Sequence, residues 1–174
     1  FWDEAGIRRA PSLIVPARVG ELTKAHEQLD RGMGAVWVGD NREGWHGGGQ
    51  MLRWVRTDTD TEKACGFFGE HCDRVRVMPF LDGIPCSIHG WNFPGTTIAL
   101  RPCEMLVYRE PNSSILHYAG AATNWMPTAP VREHMREAAL LAGAHLDKTV
   151  GYRGSFTVDG VVTADGFLPT ELNP

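Results

Sequence analysis

The sequence predicts an α+β fold in which short strands dominate the middle of the chain and helices flank them. Apolar residues recur at helical spacing in three segments, and short apolar runs bounded by turn residues lie between these segments. Near the C-terminus, polar and apolar residues alternate with the period of β-strands. With 174 residues the chain is long enough to bury a core, and no apolar run approaches the length that spans a membrane.

The first half of the chain is predicted to alternate strands and helices. Its elements are strands at 12–16, 35–38 and 51–55 and helices at 19–30 and 57–71. The side chain of Thr57 or Asp58 can cap the second helix by accepting a hydrogen bond from a free backbone N–H. By helical spacing, the inward face of this helix consists of Ala64, Phe67, Phe68 and His71.

The second half is predicted to begin with strands and to end with a helix and a hairpin. The strands are predicted at 75–80, 87–93, 96–101 and 104–109, with turns at 81–83 and 94–95. The most regular helical pattern covers 131–146. Its apolar side is formed by Val131, Met135, Ala138, Ala139 and Ala142.

The hairpin follows this helix. In its first strand Phe156 and Val158 alternate with polar residues and should face a core. The turn signal is Ala164-Asp165-Gly166, and the second strand, 167–173, has Leu168 and Leu172 on its apolar face. The two apolar faces coincide if the loop has three residues and Gly166 adopts a positive φ.

This register would gather oxygen atoms on the other face of the hairpin. It places Val158 opposite Leu172 and Asp159 opposite Glu171, with Asn173 on the same side as the two acids. Two carboxylates and an amide oxygen suit a hard divalent cation such as Mg²⁺. The alternative is an ordinary hairpin with a solvated acidic face.

Composition excludes some classes of function. The net charge of −4 argues against a general nucleic-acid binder. Four cysteines without CxxC pairing or zinc-site spacing are typical of reduced thiols in a cytoplasmic protein. The chain begins without a methionine and ends one residue after Asn173, so we expect a fragment of a longer protein.

The hairpin resembles the metal-binding end of the ATP-grasp superfamily, whose members carry an acidic residue on one strand and Glu-x-Asn on the next. The run Tyr152-Arg153-Gly154 resembles the biotin-carboxylase branch. The resemblance implies that Asp159, Glu171 and Asn173 hold Mg²⁺, with Mn²⁺ as a possible substitute. It also implies a small sheet with a glycine-rich flap over a larger antiparallel sheet with flanking helices, and a nucleotide between the two sheets. The corresponding subdomains are a small nucleotide lid at 1–76 and a larger one at 77–174.

The flap candidate is the run between the strands at 35–38 and 51–55. Its glycines allow backbone N–H groups to approach the phosphates of ATP, and His46 can add a charge-assisted hydrogen bond. The residues that would contact the nucleotide here are Gly44, His46, Gly47, Gly48 and Gly49. Without the resemblance, a flexible hairpin loop is the alternative.

Further nucleotide contacts are implied at 78–89. Backbone groups of Met78 and Phe80 would read the adenine edge. A core strand with an edge proline is compatible with this role, because the contacts would be made by the main chain. Pro85, Ser87 and His89 alternate and should share the face turned toward the nucleotide, with His89 as a contact.

The chain departs from the ATP-grasp pattern at two places. Pro85 stands where many members carry a ribose-binding glutamate, and the usual phosphate-binding lysine falls near Trp37 or Val38. The candidate cations to replace this lysine are Arg42, His46, Arg53 and Arg101.

Arg101 and Glu104 are the candidate catalytic pair. Arg101 can hold a substrate carboxylate or acyl phosphate bidentately, and Glu104 can act as a base or pair with an arginine. A surface ion pair is the alternative.

The resemblance implies an ATP-dependent ligase that joins a carboxylate to an amine through an acyl phosphate. The alternatives are a non-catalytic nucleotide-binding module and a carboxylase or phosphotransferase on the same scaffold. The expected partners are small carboxylate and amine substrates, with neither nucleic acid nor membrane, and the oligomeric state stays open.

Overall fold

In the computed structural model residues 1–41, 49–111 and 113–174 are described, and they form ten strands and three helices. The helices are α1 (Val19–Leu29), α2 (Asp58–His71) and α3 (Ala129–Val150). The strands are β1 (Leu13–Pro16), β2 (Ala35–Asn41), β3 (Leu52–Val55), β4 (Cys72–Pro79), β5 (Ile84–Phe93), β6 (Thr96–Ala99), β7 (Cys103–Arg109), β8 (Leu116–Ala122), β9 (Gly154–Thr163) and β10 (Gly166–Asn173). The predicted α+β class is confirmed.

The first sheet has the strand order β1-β4-β2-β3, and each neighbouring pair is antiparallel. Its core with α1 and α2 includes the fully buried Leu22, Trp37 and Phe68. Thr57 caps α2 in a capping box, because its side chain accepts from the N–H of Asp60 while the Asp60 carboxylate accepts from the backbone of Thr57. The start predicted for this helix is therefore confirmed.

The predicted inward face of α2 is wrong at its C-terminal end. Ala64 and Phe68 are buried as expected and Phe67 is half-buried, but His71 is exposed. His71 is the last helical residue, and the chain passes directly into β4 at Cys72, so no further helical turn lies beside it.

The second sheet has the strand order β10-β9-β5-β7-β8, and β6 pairs with the free part of β5. Helix α3 packs against it through a core that includes Met135, Ala139 and Phe156. The helix is longer than the predicted 131–146. It starts after Thr128 with a proline in its first turn, and it ends at Gly151, whose φ of 62° is the left-handed conformation typical of a helix C-cap.

The described chain divides into two compact units. One unit comprises Phe1–Ala10, Leu81–Leu106 and Gly120–Pro174, and the other comprises Pro11–Phe80 and Val107–Ala119. Within the second unit, β4 pairs with β2 up to Pro79, which lies opposite Ala35. No helix in the described ranges combines the length and the apolar character required to cross a membrane.

Candidate functional site

The pairing of β9 with β10 follows the predicted register. Asp159 lies opposite Glu171, Val158 lies opposite Leu172, and Thr157 lies opposite Asn173. Phe156 and Val158 are buried in the core with α3, as expected from the alternation. The two acids and Asn173 therefore lie on the face of the sheet that is turned away from α3.

The turn reaches this register in a different way from the prediction. Gly166 has the expected positive φ of 102°, but it pairs with Thr163, so the loop has two residues instead of three. The extra residue is Thr170, which forms a bulge between Pro169 and Glu171. A bulge adds one residue to a single strand and restores the same pairing beyond it.

The bulge changes which apolar residue faces the core in the first part of β10. Phe167 pairs with Val162 and is fully buried in the α3 core. Leu168, which was predicted to share a face with Leu172, instead pairs with Val161 on the opposite face. The prediction was wrong because strict alternation along 167–173 fails where one residue is bulged.

The pairing of β5 with β9 adds further side chains to the acidic face. Ser87 lies opposite Asp159, and His89 lies opposite Thr157. Paired residues, and residues two apart on one strand, point to the same side of a sheet. Three strands thus form two polar rows, Ser87–Asp159–Glu171 and His89–Thr157–Asn173, which we call the polar cluster.

Contacts within the polar cluster centre on Asp159. The amide Nδ2 of Asn173 donates to Asp159 Oδ2 over 3.1 Å and lies 3.4 Å from Thr157 Oγ1. Asp159 is half-buried, whereas Glu171 and Asn173 are exposed. The carboxylate that lies deepest therefore has an exposed carboxylate on the strand beside it.

Burial raises the pKa of the Asp159 carboxyl above its ordinary value. The Ser87 hydroxyl acts in the opposite direction, as do the electrostatic effect of His89 and hydrogen bonds from Thr157 and Asn173. Ser87 Oγ is near Asp159, but it forms no hydrogen bond of normal geometry with any described residue. A carboxylate that has lost part of its hydration gains more from a bound cation than one in open water does.

In the described ranges, no group of three or more histidine, cysteine, aspartate or glutamate side chains is arranged to hold a metal ion. The polar cluster offers two carboxylates, so an amide oxygen would have to be its third protein ligand. This donor set suits a hard cation and not a zinc site.

An apolar row adjoins the polar cluster on the same face. Pro85 pairs with Val161, and Val161 also pairs with Leu168. Pro85 and Val161 lie two residues along their strands from Ser87 and Asp159, and the bulge separates Leu168 from Glu171. Two residues along a strand correspond to about 7 Å. The face therefore changes from apolar to acidic over this distance.

Comparisons with known proteins give a consistent picture of the fold. No protein-family model and no curated protein matches the sequence. The structure is similar to N5-carboxyaminoimidazole ribonucleotide synthetase in its ADP complex, with a TM-score of 0.73 and 19% identity. The chain has the ATP-grasp fold.

Two further ATP-grasp structures show the same similarity. The D-alanine-D-alanine ligase from Coxiella burnetii gives a TM-score of 0.72 at 19% identity, and the VanG D-Ala:D-Ser ligase from Enterococcus faecalis gives 0.74 at 16%. The three matches cover 98–99% of this chain but only 42–49% of the other chains. The chain thus spans less than half the length of these ATP-grasp proteins.

The candidate catalytic pair is not brought into the polar cluster. Glu104 pairs with Cys86, which is buried in the α3 core, so Glu104 points to the opposite face of the sheet from Asp159. Arg101 is exposed, with Nη2 2.8 Å from Met126 Sδ, and it makes no ion pair with Glu104 among the described contacts.

The residue of this segment that does share the face of Asp159 is Cys103, which pairs with Ser87. Its thiol is buried and contacts the Ser87 carbonyl oxygen at 3.7 Å. Burial raises its pKa, and the charge of Asp159 adds to this effect. Sequence reasoning missed Cys103, because the register between β5 and β7 joins segments that no local pattern relates.

Most of the candidate flap falls outside the described residues, namely Gly44, His46, Gly47 and Gly48. Gly49 is described and has a φ of 78°. A Cβ at this position would lie 2.9 Å from the carbonyl oxygen of Leu116, so the backbone conformation and the close approach both favour glycine.

The two candidate adenine contacts have different surroundings. Met78 is buried and pairs with Val36 in the first sheet. The Phe80 N–H donates to Gly34 O over 3.1 Å, and the Phe80 ring stacks on Trp54 with 4.1 Å between centroids. The Phe80 amide donor is therefore already used, which leaves its carbonyl oxygen as the group able to accept from an adenine amino group.

Proposed function

We propose that the protein is an ATP- and Mg²⁺-dependent ligase that joins a carboxylate to an amine through an acyl phosphate. The observation that carries this proposal is the polar cluster, with Asp159 and Glu171 paired in register on one face of an ATP-grasp fold. The similar structures support it, because two of them are named as ligases and a third is a synthetase crystallised with ADP.

We assign Asp159, Glu171 and Asn173 as the residues that hold the magnesium ion. Their oxygens fit this ion, since Asp159 is a partly desolvated carboxylate with an exposed carboxylate opposite it. The Asn173 amide presents its nitrogen to Asp159, and a half-turn about its last side-chain bond presents the oxygen instead. When bound, magnesium would neutralise charge on the nucleotide phosphates during phosphoryl transfer.

Two other features of this face fit a nucleotide. The row Pro85–Val161–Leu168 offers an apolar surface on which a purine ring can pack. His89 is exposed one row away from Asp159, where its imidazole can donate to a phosphate oxygen. Both assignments place the phosphates over the polar cluster and the base over the apolar row.

A second candidate function is a nucleotide-binding module without turnover. The position of the usual phosphate-binding lysine is occupied by Trp37, which is fully buried, or by the apolar Val38. Arg53, one of the possible substitutes, is engaged elsewhere. Its Nη1 donates to the carbonyl oxygens of Gln50 and Leu52, and its guanidinium carbon lies 3.9 Å from the centroid of the Phe67 ring.

The test is ADP formation from Mg-ATP in the presence of mixed pools of carboxylates and amines. We expect ADP release that requires a carboxylate and falls at least about tenfold in Glu171→Gln. The matched control is Ser155→Ala, which lies on the same sheet face opposite Trp91 and should behave as the wild type. ATP binding without ADP formation would favour the second function, and absence of both binding and turnover would refute the proposal.

A further inference from the structure

Ser87 is a buried hydroxyl at the inner end of an acidic row. The residue is only 4% exposed, and its Oγ lies near Asp159 but forms no hydrogen bond of normal geometry with any described residue. Buried polar groups without a partner are rare in folded proteins, because each one loses its hydration without compensation. An unpaired hydroxyl on the same face as Asp159 therefore suggests a partner that is engaged only in another state of the site.

The surroundings of Ser87 leave Asp159 as its natural acceptor. Register places the two residues directly opposite each other on neighbouring strands, with side chains on the same face. The other titratable groups on this face are His89, Glu171 and Cys103. Glu171 lies one strand further from Ser87 than Asp159 does, and His89 lies two residues along the same strand. The Cys103 thiol contacts the Ser87 carbonyl oxygen.

Cation binding would change the hydrogen bonds of Asp159. In this structure Asn173 Nδ2 donates to Asp159 Oδ2 over 3.1 Å. If the Asn173 amide turns its oxygen toward a cation, this donor is lost to Asp159. The Ser87 hydroxyl can then take its place by rotation about a single bond.

We propose that Ser87 is a positioning residue that donates to the ionised carboxylate of Asp159 and holds one of its oxygens toward the bound cation. The inference rests on the metal site assigned under the proposed function. Hydrogen bonds from outside the ligand set fix the orientation of metal-binding carboxylates. Removing the hydroxyl should therefore weaken cation binding without unfolding the chain.

The experiment compares Ser87→Ala and Ser87→Thr with the wild type in Mn²⁺ titrations followed by electron paramagnetic resonance. We expect Ser87→Ala to bind Mn²⁺ about tenfold more weakly. Ser87→Thr keeps the hydroxyl and should restore most of the affinity, and Ser155→Ala on the same face should not change it.

Metal-free measurements separate positioning from a structural role. Ser87→Ala loses a hydroxyl that makes no hydrogen bond of normal geometry here, so its thermal stability without metal should stay level or rise slightly. A marked loss of metal-free stability with unchanged Mn²⁺ affinity would overturn the proposal.

Wild-type titrations separate failure of this inference from failure of the metal assignment. Wild-type protein that binds no Mn²⁺ would refute the metal assignment and, with it, this inference. Wild-type binding that is unchanged in Ser87→Ala would overturn the positioning role alone.

Discussion

Replacing Asp159 by Asn removes a half-buried charge from the polar cluster and keeps the shape of the side chain. Burial raises the pKa of this carboxyl above its ordinary value of 3.8, so the folded chain binds the proton more tightly than the unfolded chain does. The resulting stabilisation is complete below the ordinary pKa and is lost as the pH rises through the raised one. At neutral pH the ionised carboxylate therefore opposes folding, and Asp159→Asn should be the more stable protein without metal.

The size of the effect follows from the partial burial of the side chain. A shift of one pKa unit corresponds to about 1.4 kcal/mol, and solvent screening of a half-buried group reduces this. We expect a gain of up to about 1 kcal/mol, or roughly 2–4 °C in Tm. The Asn side chain keeps an oxygen that can accept from Asn173, so that hydrogen bond need not be lost.

A divalent cation should reverse the order of the two proteins. At ten times its dissociation constant, a ligand that binds only the folded state stabilises it by about 1.4 kcal/mol. Wild-type protein should gain this amount, and Asp159→Asn should gain much less. The two melting temperatures should therefore cross as Mn²⁺ is added.

The assay is thermal unfolding in chelator and in Mn²⁺, at neutral pH and again at a pH below the ordinary pKa of aspartate. The control is Asp165→Asn, which removes an exposed carboxylate from the turn of the same hairpin. Lower metal-free stability of Asp159→Asn at neutral pH would refute the reasoning, since the carboxylate would then be held by a structural partner. Equal stabilisation of both proteins by Mn²⁺ would place the cation elsewhere.

Three other substitutions test the site and its support. Glu171→Gln should weaken Mn²⁺ binding about tenfold with little change in metal-free Tm, because this side chain is exposed. Gly143→Ala should cost about 1–2 kcal/mol in urea unfolding despite the better helix propensity of alanine, since its Cβ would lie 2.4 Å from Thr97 Cγ2. Gly66→Ala, with nothing within 4 Å of its Cβ, should stabilise the chain and serves as its control. Thr57→Ala should cost about 1 kcal/mol in the same assay through loss of the α2 cap; an unchanged midpoint would show that the cap contributes nothing.

The helices show how far local sequence reaches. The predicted start at Val19 follows from apolar spacing and the start after Thr57 from capping, and both signals involve residues within a turn or two. Strand β8 was not predicted, because most of Leu116–Ala122 is exposed or half-buried and carries no clear alternation. Such a strand forms because a neighbour supplies its hydrogen bonds, and the neighbour is chosen by the tertiary fold.

The hairpin of β9 and β10 was predicted in part, unlike the helix starts, which were predicted, and β8, which was not. Its apolar alternation, together with the position of the turn, was enough to place Asp159 opposite Glu171, because a one-residue slip would turn buried side chains outward. The hairpin has one residue more than two matched strands and a two-residue loop require. The sequence did not reveal that this extra residue is Thr170 in a bulge and not a third residue in the loop. Both arrangements satisfy the same pattern around the acids, and only packing of Phe167 in the α3 core distinguishes them.

By itself, the sequence determined the acids of the polar cluster and their register, since alternation within one hairpin links residues that are close along the chain. The tertiary structure alone decided that β5 lies beside β9, which brings Ser87 to Asp159 and His89 to Thr157. It also decided that Cys103 and not Glu104 shares their face. These pairings join segments far apart in sequence, and their register depends on how whole strands pack against α3, which no local period encodes.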